Sequence, residues 1–260
     1  PRPTIVSQGS DMTRVLLLGG TTEASALARA MAEVGIDAIF SYAGRTDAPV
    51  AQPLPMRIGG FGGVDGLVAW IKSEAITHIV DATHPFAARM SQNVLIASKI
   101  AGVPLLVLER PAWVAEPGDD WQHVPDTEAA VRALPDRPTR VFLAIGKQTL
   151  SLFASKPQHN YLLRLVDAPE GPLPLPDAEA VIARGPFTEA DDLKLLSDHR
   201  IEVIIAKNAG GSGAEAKLKA ARLLQIPVIL IDRPVLPPRD VVGTVTEVMG
   251  WIGHPARLGV

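Results

Sequence analysis

The chain contains no cysteine. Disulfides, zinc–thiolate centres, iron–sulfur clusters and cysteine nucleophiles are therefore excluded. Aromatic residues are scarce, at 5%, too few for the stacking platforms that hold single-stranded nucleic acid. Neither sign of charge dominates: 25 Lys+Arg against 28 Asp+Glu give a formal net charge of -3, with no basic stripe to follow a phosphate backbone. No apolar run approaches the ~18 residues that cross a bilayer, and no basic-then-apolar leader is visible. The six histidines are scattered, without H-x-x-x-H or H-E-x-x-H spacing, so no metal site is expected. A Ser-His-Asp or G-x-S-x-G nucleophile is missing too, as is a glycosidase-like carboxylate pair. What remains is a chain of 260 residues, 47% hydrophobic, with the composition of a cytoplasmic globular protein and no nucleic-acid or membrane partner.

What the chain does have is alternation. After residues 1–11, "PRPTIVSQGSD", which lack periodicity and are expected to be a vector-derived remnant or a disordered tail, short apolar runs alternate with amphipathic stretches. "RVLLL" reads as a strand and Thr22–Val34 as a helix; "IDAIFSYA", "THIVDA" and "VPLLVLER" follow as strands. Between them "GVDGLVAWIKSE" and "PFAARMSQNVLIASKIAG" read as helices, the second with Pro85 near its first turn. The composition shifts at "PDTEAAVRALPDRP", taken as a short helix and linker, and then the pattern restarts with "RVFLAIG", "NYLLRLVD", "AVIARG", "IEVIIAKN" and "IPVILIDRP". "KQTLSLFAS", "TEADDLKLLSDH", "GAEAKLKAARLLQ" and "VVGTVTEVMGWIGH" supply helices. Strand–helix alternation at this spacing predicts an α/β fold of two doubly wound parallel-sheet domains. The expected boundaries are 12–125 for the first domain, 126–139 for the linker and 140–260 for the second.

Ligands of open parallel sheets sit beyond the carboxyl ends of the strands, so the turns there carry the functional reading. After the first strand, "GGTTEA" offers Gly19 and Gly20 for close backbone approach and Thr21 and Thr22 as hydroxyl donors at a helix N-terminus, a place that favours an anion. Glu23 stands in the first helical turn. The stretch departs from G-x-G-x-x-G and reads either as a phosphate site or as a plain tight turn. An NAD site usually places an acid ~20 residues on, at the end of the second strand. Here that place reads "SYAGRT", without a carboxylate: Ser41, Gly44, Arg45 and Thr46 suit a 2′-phosphate, hence NADPH, unless Arg45 is a solvated loop arginine. "RIGGFGGVDGL" brings Gly60, Phe61 and Gly62 into a loop that either lies against a cofactor ribose or is a structural turn. "DATHPFA" sets Thr83 and His84 at the third strand end, where the histidine either orients a ribose, supplies a proton or caps the helix.

In the second half "IGKQ" places Lys147 at a strand-to-helix turn, and "ARGPFT" places Arg184 and Gly185 before a helix. "AKNAGGSGAEAKL" gathers Lys207, Asn208, Gly210, Gly211, Ser212 and Gly213 ahead of a helix bearing Lys217; "LIDRP" adds Arg233. Cations and free backbone donors collected at one sheet edge of a net acidic chain suit a polyanionic ligand. G-x-x-x-x-G-K-[ST] is absent, which disfavours nucleotide hydrolysis.

The ordered set "LLLGGTTEA", "SYAGRT", "GGFGG", "DATHPFA", "LAIGKQ", "RGPFT" and "KNAGGSG", spanning Arg14 to about Met249, resembles the precorrin-6A reductase family of corrin (vitamin B12) biosynthesis. That resemblance implies two Rossmann-like domains with the active site in the cleft between them. It also implies NADPH-dependent reduction of one double bond of precorrin-6A to precorrin-6B, and hand-over of the product to a downstream precorrin methyltransferase. The acetate and propionate arms of such a substrate would meet Lys147, Arg184, Lys207, Lys217 and Arg233, with Gly185, Asn208, Gly210, Gly211, Ser212 and Gly213 beside them. Lys207, then His84, are the candidate proton donors or charge stabilisers. Two other classes stay in view: a non-catalytic sensor of a nucleotide or acidic tetrapyrrole, and a tetrapyrrole methyltransferase. The arginine after the second strand weighs against the latter, since an acid usually holds the ribose of a methyl donor.

Overall fold

The computed structural model describes residues 13–44 and 49–253. In chain order the elements are β1 (Arg14–Leu18), α1 (Thr22–Glu33), β2 (Asp37–Tyr42), β3 (Met56–Ile58), α2 (Gly63–Ser73), β4 (His78–Asp81), α3 (Ala88–Ala101) and β5 (Leu105–Leu108). Next come β6 (Trp121–Val124), α4 (Thr127–Ala133), β7 (Arg140–Ala144), β8 (Asn160–Leu165), β9 (Ala178–Ile182), α5 (Glu189–Asp198) and β10 (Val203–Lys207). The chain closes with α6 (Ala216–Leu224), β11 (Val228–Ile231), β12 (Val241–Val242) and α7 (Val245–Gly253). Two further segments, Lys147–Ser155 and Ser212–Ala214, are 3₁₀-helical.

The strands form two six-stranded sheets, ordered β12-β5-β4-β1-β2-β3 and β6-β11-β10-β7-β8-β9. Among the described residues every pairing is parallel. The doubly wound α/β expectation is therefore met. β1 shows why both faces must be covered. Val15 and Leu17 face Leu27, Met31 and Val248 of α1 and α7, while Leu16 and Leu18 face Leu67, Ile71 and Val94 of α2 and α3. In the second sheet Val141, Leu143 and Ile205 pack with α4, and Phe142, Ile204 and Ala206 with α5 and α6. Each fully buried leucine here contributes about 1.5–3 kcal/mol.

The sheet edges correct the expected boundaries. β6 and α4, placed by composition at the end of the first domain and in a linker, belong to the second sheet and its core. β12 and α7, placed in the second domain, complete the first sheet and cover α1. The chain thus crosses between the lobes twice, after β5 and again after β11. Pro85 also lies outside its expected helix, which begins at Ala88, and "KQTLSLFAS" winds as 3₁₀ rather than α. Residues 1–11, together with Arg45 and Thr46, lie outside the described residues. Among the described residues no helix is long and apolar enough to cross a membrane.

Candidate active site

Each sheet reverses its winding direction at one point, between β1 and β4 in the first and between β7 and β10 in the second. The crevice outside such a point is where doubly wound folds take ligands.

At the first crevice, Gly19 donates its amide to the Ser41 carbonyl at 3.0 Å. A Cβ at Gly19 would lie 2.0 Å from the Phe40 ring, which is fully buried and has nowhere to go. Thr21 caps α1: its Oγ1 accepts from the Ala24 amide at 3.1 Å and donates to the Ala82 carbonyl at 2.9 Å, tying this turn to the end of β4. Gly20 turns through a positive φ of 137° just ahead of it. In the first turn of α1 the Ala24 amide is taken by Thr21 and the Glu23 amide by its own carboxylate, and the helix N-terminus as a whole is the end that favours an anion. Thr22 donates to Glu23 at 3.1 Å, and Glu23 pairs with Arg110 at 2.7 Å. Burial works against the Glu23 charge, but a backbone hydrogen bond and the Arg110 guanidinium outweigh it and hold the carboxyl below its usual range. Gly19→Ala is expected to cost about 1–3 kcal/mol by overpacking and to weaken dinucleotide binding, while Gly19→Ala/Phe40→Leu regains much of both. Urea unfolding and a coenzyme titration check this.

Around β2, the buried Ser41 hydroxyl accepts from Arg57 at 2.9 Å, and the Arg57 guanidinium lies 3.7 Å from the Phe61 ring centroid. Phe61 meets Trp70 edge-on, Gly60 gives its carbonyl to Arg57 at 3.0 Å, and Gly62 precedes α2. Gly44 packs against Gly59.

The loop after β4 hangs from Asp81. This buried carboxylate accepts from the Thr83 amide and hydroxyl at 3.1 and 2.7 Å and from the Ser91 hydroxyl at 2.7 Å. His84 Nδ1 accepts from the Phe86 amide at 3.2 Å, so the neutral ring carries its proton on Nε2. Phe86, though in the first lobe, packs against the core of the second, and the Lys207 ammonium lies 5.5 Å from its ring centroid. His84 borders the same ring at 5.8 Å. The two candidates for proton donation thus approach one phenyl ring from opposite lobes.

In the second lobe Lys147 and Arg184 are exposed at the carboxyl edge, Arg184 at 3.8 Å from Asp167. Gly185 and Gly213 adjoin, and Phe187 donates its amide to the Gly213 carbonyl at 3.3 Å. Ser212 is exposed at the start of its 3₁₀ turn.

Three of the residues expected at the substrate have partners within the protein. Asn208 is buried, bonding both the amide and the carbonyl of Trp113 at 2.8 and 3.1 Å. Arg233 donates to the Asn208 and Ala209 carbonyls at 3.0 and 3.1 Å and pairs with Glu109 at 3.1 Å. Lys217 is buried, donating to the Ala214 carbonyl with its ammonium 4.8 Å from the Trp113 ring centroid. All three are engaged at the seam where the segment after β5 meets the second lobe. Gly210 and Gly211 belong to the same seam: a Cβ on Gly210 would lie 2.0 Å from the Pro111 carbonyl oxygen, and on Gly211 2.5 Å from Arg110.

Burial, reinforced by Arg164, pushes the Lys217 pKa down from 10.5 to about 7. Between those values the unfolded chain binds the extra proton, so this group makes stability rise with pH and be lowest below about pH 7. Lys217→Met is expected to stabilise the protein by about 1–2 kcal/mol at pH 6 and by little at pH 9. Chemical denaturation across that range reads the converging curves.

Sequence reasoning missed Arg110 and Trp113. Arg110 joins the lobes by donating Nε to the Ala209 carbonyl at 2.8 Å and Nη1 to Glu23, while Trp113 donates Nε1 to the Gly211 carbonyl at 2.9 Å. The available signal was position: "ERPAW" follows a strand end, as the glycine turns do. Glu109 adds a second tie, accepting from both Arg233 and Arg239 at 3.1 Å. No group of three or more His, Asp or Glu placed to hold a metal occurs among the described residues.

Comparison with known proteins agrees with this geometry. The chain matches the sequence profile of the precorrin-6x reductase family, CbiJ/CobK, over residues 14–253. A precorrin-6A reductase of Rhodobacter capsulatus is 64% identical over 93% of this chain and 96% of its own. Another, from a Sinorhizobium species, is 52% identical and matches over 93% of each chain. The solved structure of a CobK precorrin-6A reductase superposes with a TM-score of 0.90 at 64% identity, covering 93% of this chain and 96% of that one. The chain therefore belongs to the precorrin-6x reductase family.

Proposed function

We propose that the protein is an NADPH-dependent oxidoreductase that reduces one double bond of precorrin-6A, giving precorrin-6B, in corrin biosynthesis. The first lobe would hold the coenzyme and the second the substrate. The carrying observation is the turn after β1: Gly20 takes a positive φ with open space where a side chain would stand, and Thr21 caps α1, so backbone rather than side chains would meet a diphosphate at this helix N-terminus. The end of β2 supports the phosphorylated coenzyme, because no carboxylate stands between Ser41 and Gly44 to claim a ribose diol.

In this reading Gly19, Gly20, Thr21 and Thr22 grip the diphosphate, and Thr83 and His84 border the nicotinamide half across the crevice. A reduced nicotinamide supplies the hydride. The protein's part is to orient and to exclude water. Asp81 fixes the Thr83–His84 loop, Phe86 bridges the lobes, and Lys207 sets a positive charge where the reduced macrocycle accumulates electrons. Lys147 and Arg184 receive acidic arms at the open edge. Transfer of the product to a precorrin methyltransferase belongs to the same proposal.

Anaerobic incubation with NADPH and precorrin-6A, followed by loss of nicotinamide absorbance, tests the reading. Oxidation tied to substrate supports it. Tight binding of both compounds with no oxidation would make the protein a sensor, and binding of S-adenosylmethionine in place of NADPH would make it a methyltransferase.

A further inference from the structure

Arg57 stands apart from the arginines of the first lobe that form ion pairs. Arg14 pairs with Asp37 and Glu74 at 3.0 and 2.9 Å, and Arg110 pairs with Glu23. Arg57 is half-buried and meets no carboxylate among the described residues; its partners are a hydroxyl and two carbonyls. Its place follows from strand register. β3 pairs with β2 so that Arg57 stands opposite Ser41, the residue at the strand end where dinucleotide folds read the adenosine ribose. Nη1 donates to Ser41 Oγ and to the Gly59 carbonyl, both at 2.9 Å, and Nη2 donates to the Gly60 carbonyl at 3.0 Å. The guanidinium plane is seated on Phe61. A guanidinium carries five N–H donors; one on Nη2 and one on Nε are left over.

We infer that Arg57, and not only the Arg45 expected there from the sequence, reads the 2′-phosphate of the coenzyme and sets the preference for NADPH over NADH. This rests on the coenzyme site proposed above and adds a specificity residue to it. The group is immobilised before any ligand arrives, so little side-chain freedom is lost on binding. Its leftover donors suit phosphate oxygens, which guanidinium binds with charge-assisted hydrogen bonds. Ser41 is here a positioning residue, holding Arg57 by its hydroxyl. The bland alternative is that Arg57 merely ties the β3 loop to β2.

Calorimetric titration with 2′,5′-ADP and with 5′-ADP separates these roles without any turnover. The wild type is expected to bind 2′,5′-ADP at least tenfold more tightly than 5′-ADP. Arg57→Gln should remove most of that margin while changing 5′-ADP affinity less than threefold, and Arg57→Lys should keep part of it. Equal weakening of both probes, or an unchanged margin in Arg57→Gln, overturns the inference; so does a wild type without preference for 2′,5′-ADP. Wild-type NADPH oxidation with precorrin-6A is measured beside it. Oxidation with an unaltered NADPH-to-NADH ratio of kcat/KM in Arg57→Gln defeats the Arg57 assignment alone. No oxidation and no binding of either probe defeats the coenzyme site itself.

Discussion

Asp192→Ala should lower folding stability by about 3–5 kcal/mol, the range for removing one partner of a buried ion pair. Asp192 is 2% exposed and Arg164 opposes it with a side chain only 8% exposed. The Arg164 guanidinium also lies between the Phe142 and Phe187 rings, 4.9 and 4.1 Å from their centroids. Deleting the carboxylate leaves that cation desolvated beside Lys217, whose own charge Asp192 now favours. The Lys217 pKa should then fall further. Two consequences set this apart from an ordinary cavity. The loss should shrink in Asp192→Ala/Arg164→Met, because the unpaired charge is gone. It should also reach the site, since Phe187 connects to the Gly213 carbonyl and sits in the loop that carries Arg184. Urea denaturation of the three variants measures the first effect, and KM for the tetrapyrrole the second. A loss under about 1 kcal/mol for Asp192→Ala would show that water or Lys217 compensates and that the pair is not structural.

How far the sequence foretold this protein depends on the scale of the signal. Strands covered on both faces, such as "RVLLL" and "IEVIIAKN", announce themselves as apolar runs, and the helices between them by their period. Three of the four edge strands, β3, β6 and β12, do not. β3 and β12 are two or three residues long and leave Met56, Ile58 and Val241 about half exposed, so no run marks them. The missed domain exchange has the same root: "WQHV" joins the second sheet only because β11 offers it an open edge. At the site, glycine turns were legible because backbone approach leaves a local trace. The seam was not, because Arg110 meets Glu23 across 87 positions and the Ala209 carbonyl across 99. Lys217 shows the limit most sharply. Placed beyond a glycine loop it resembles a ligand-binding lysine; what encloses it is a tryptophan more than a hundred residues earlier in the chain.

Lys207→Met should reduce kcat by about 10²–10³-fold, the effect of losing one preorganised charge stabiliser, with little change in stability. Lys207 ends β10 beside Ile231, so the sheet fixes where its side chain starts, and the Phe86 ring of the other lobe lies beneath its ammonium. Hydride addition to a conjugated macrocycle leaves a pair of electrons that a proton must quench, and a cation nearby lowers that barrier. Two roles compete for the residue: stabilising or protonating the reduced ring, and docking a substrate carboxylate. Lys207→Arg divides them. Arginine keeps the charge but does not release a proton near neutral pH, so it should restore KM while kcat stays low if the ammonium donates the proton. Recovery of kcat in Lys207→Arg would leave electrostatics as the whole contribution and pass proton donation to His84, whose replacement by glutamine would then have to carry the larger loss. A KM effect alone, with kcat intact in both Lys207 variants, would reduce Lys207 to a docking group. His84→Gln is otherwise expected to be the milder lesion, because the Nδ1 of His84 already accepts the Phe86 amide and leaves only Nε2 to act.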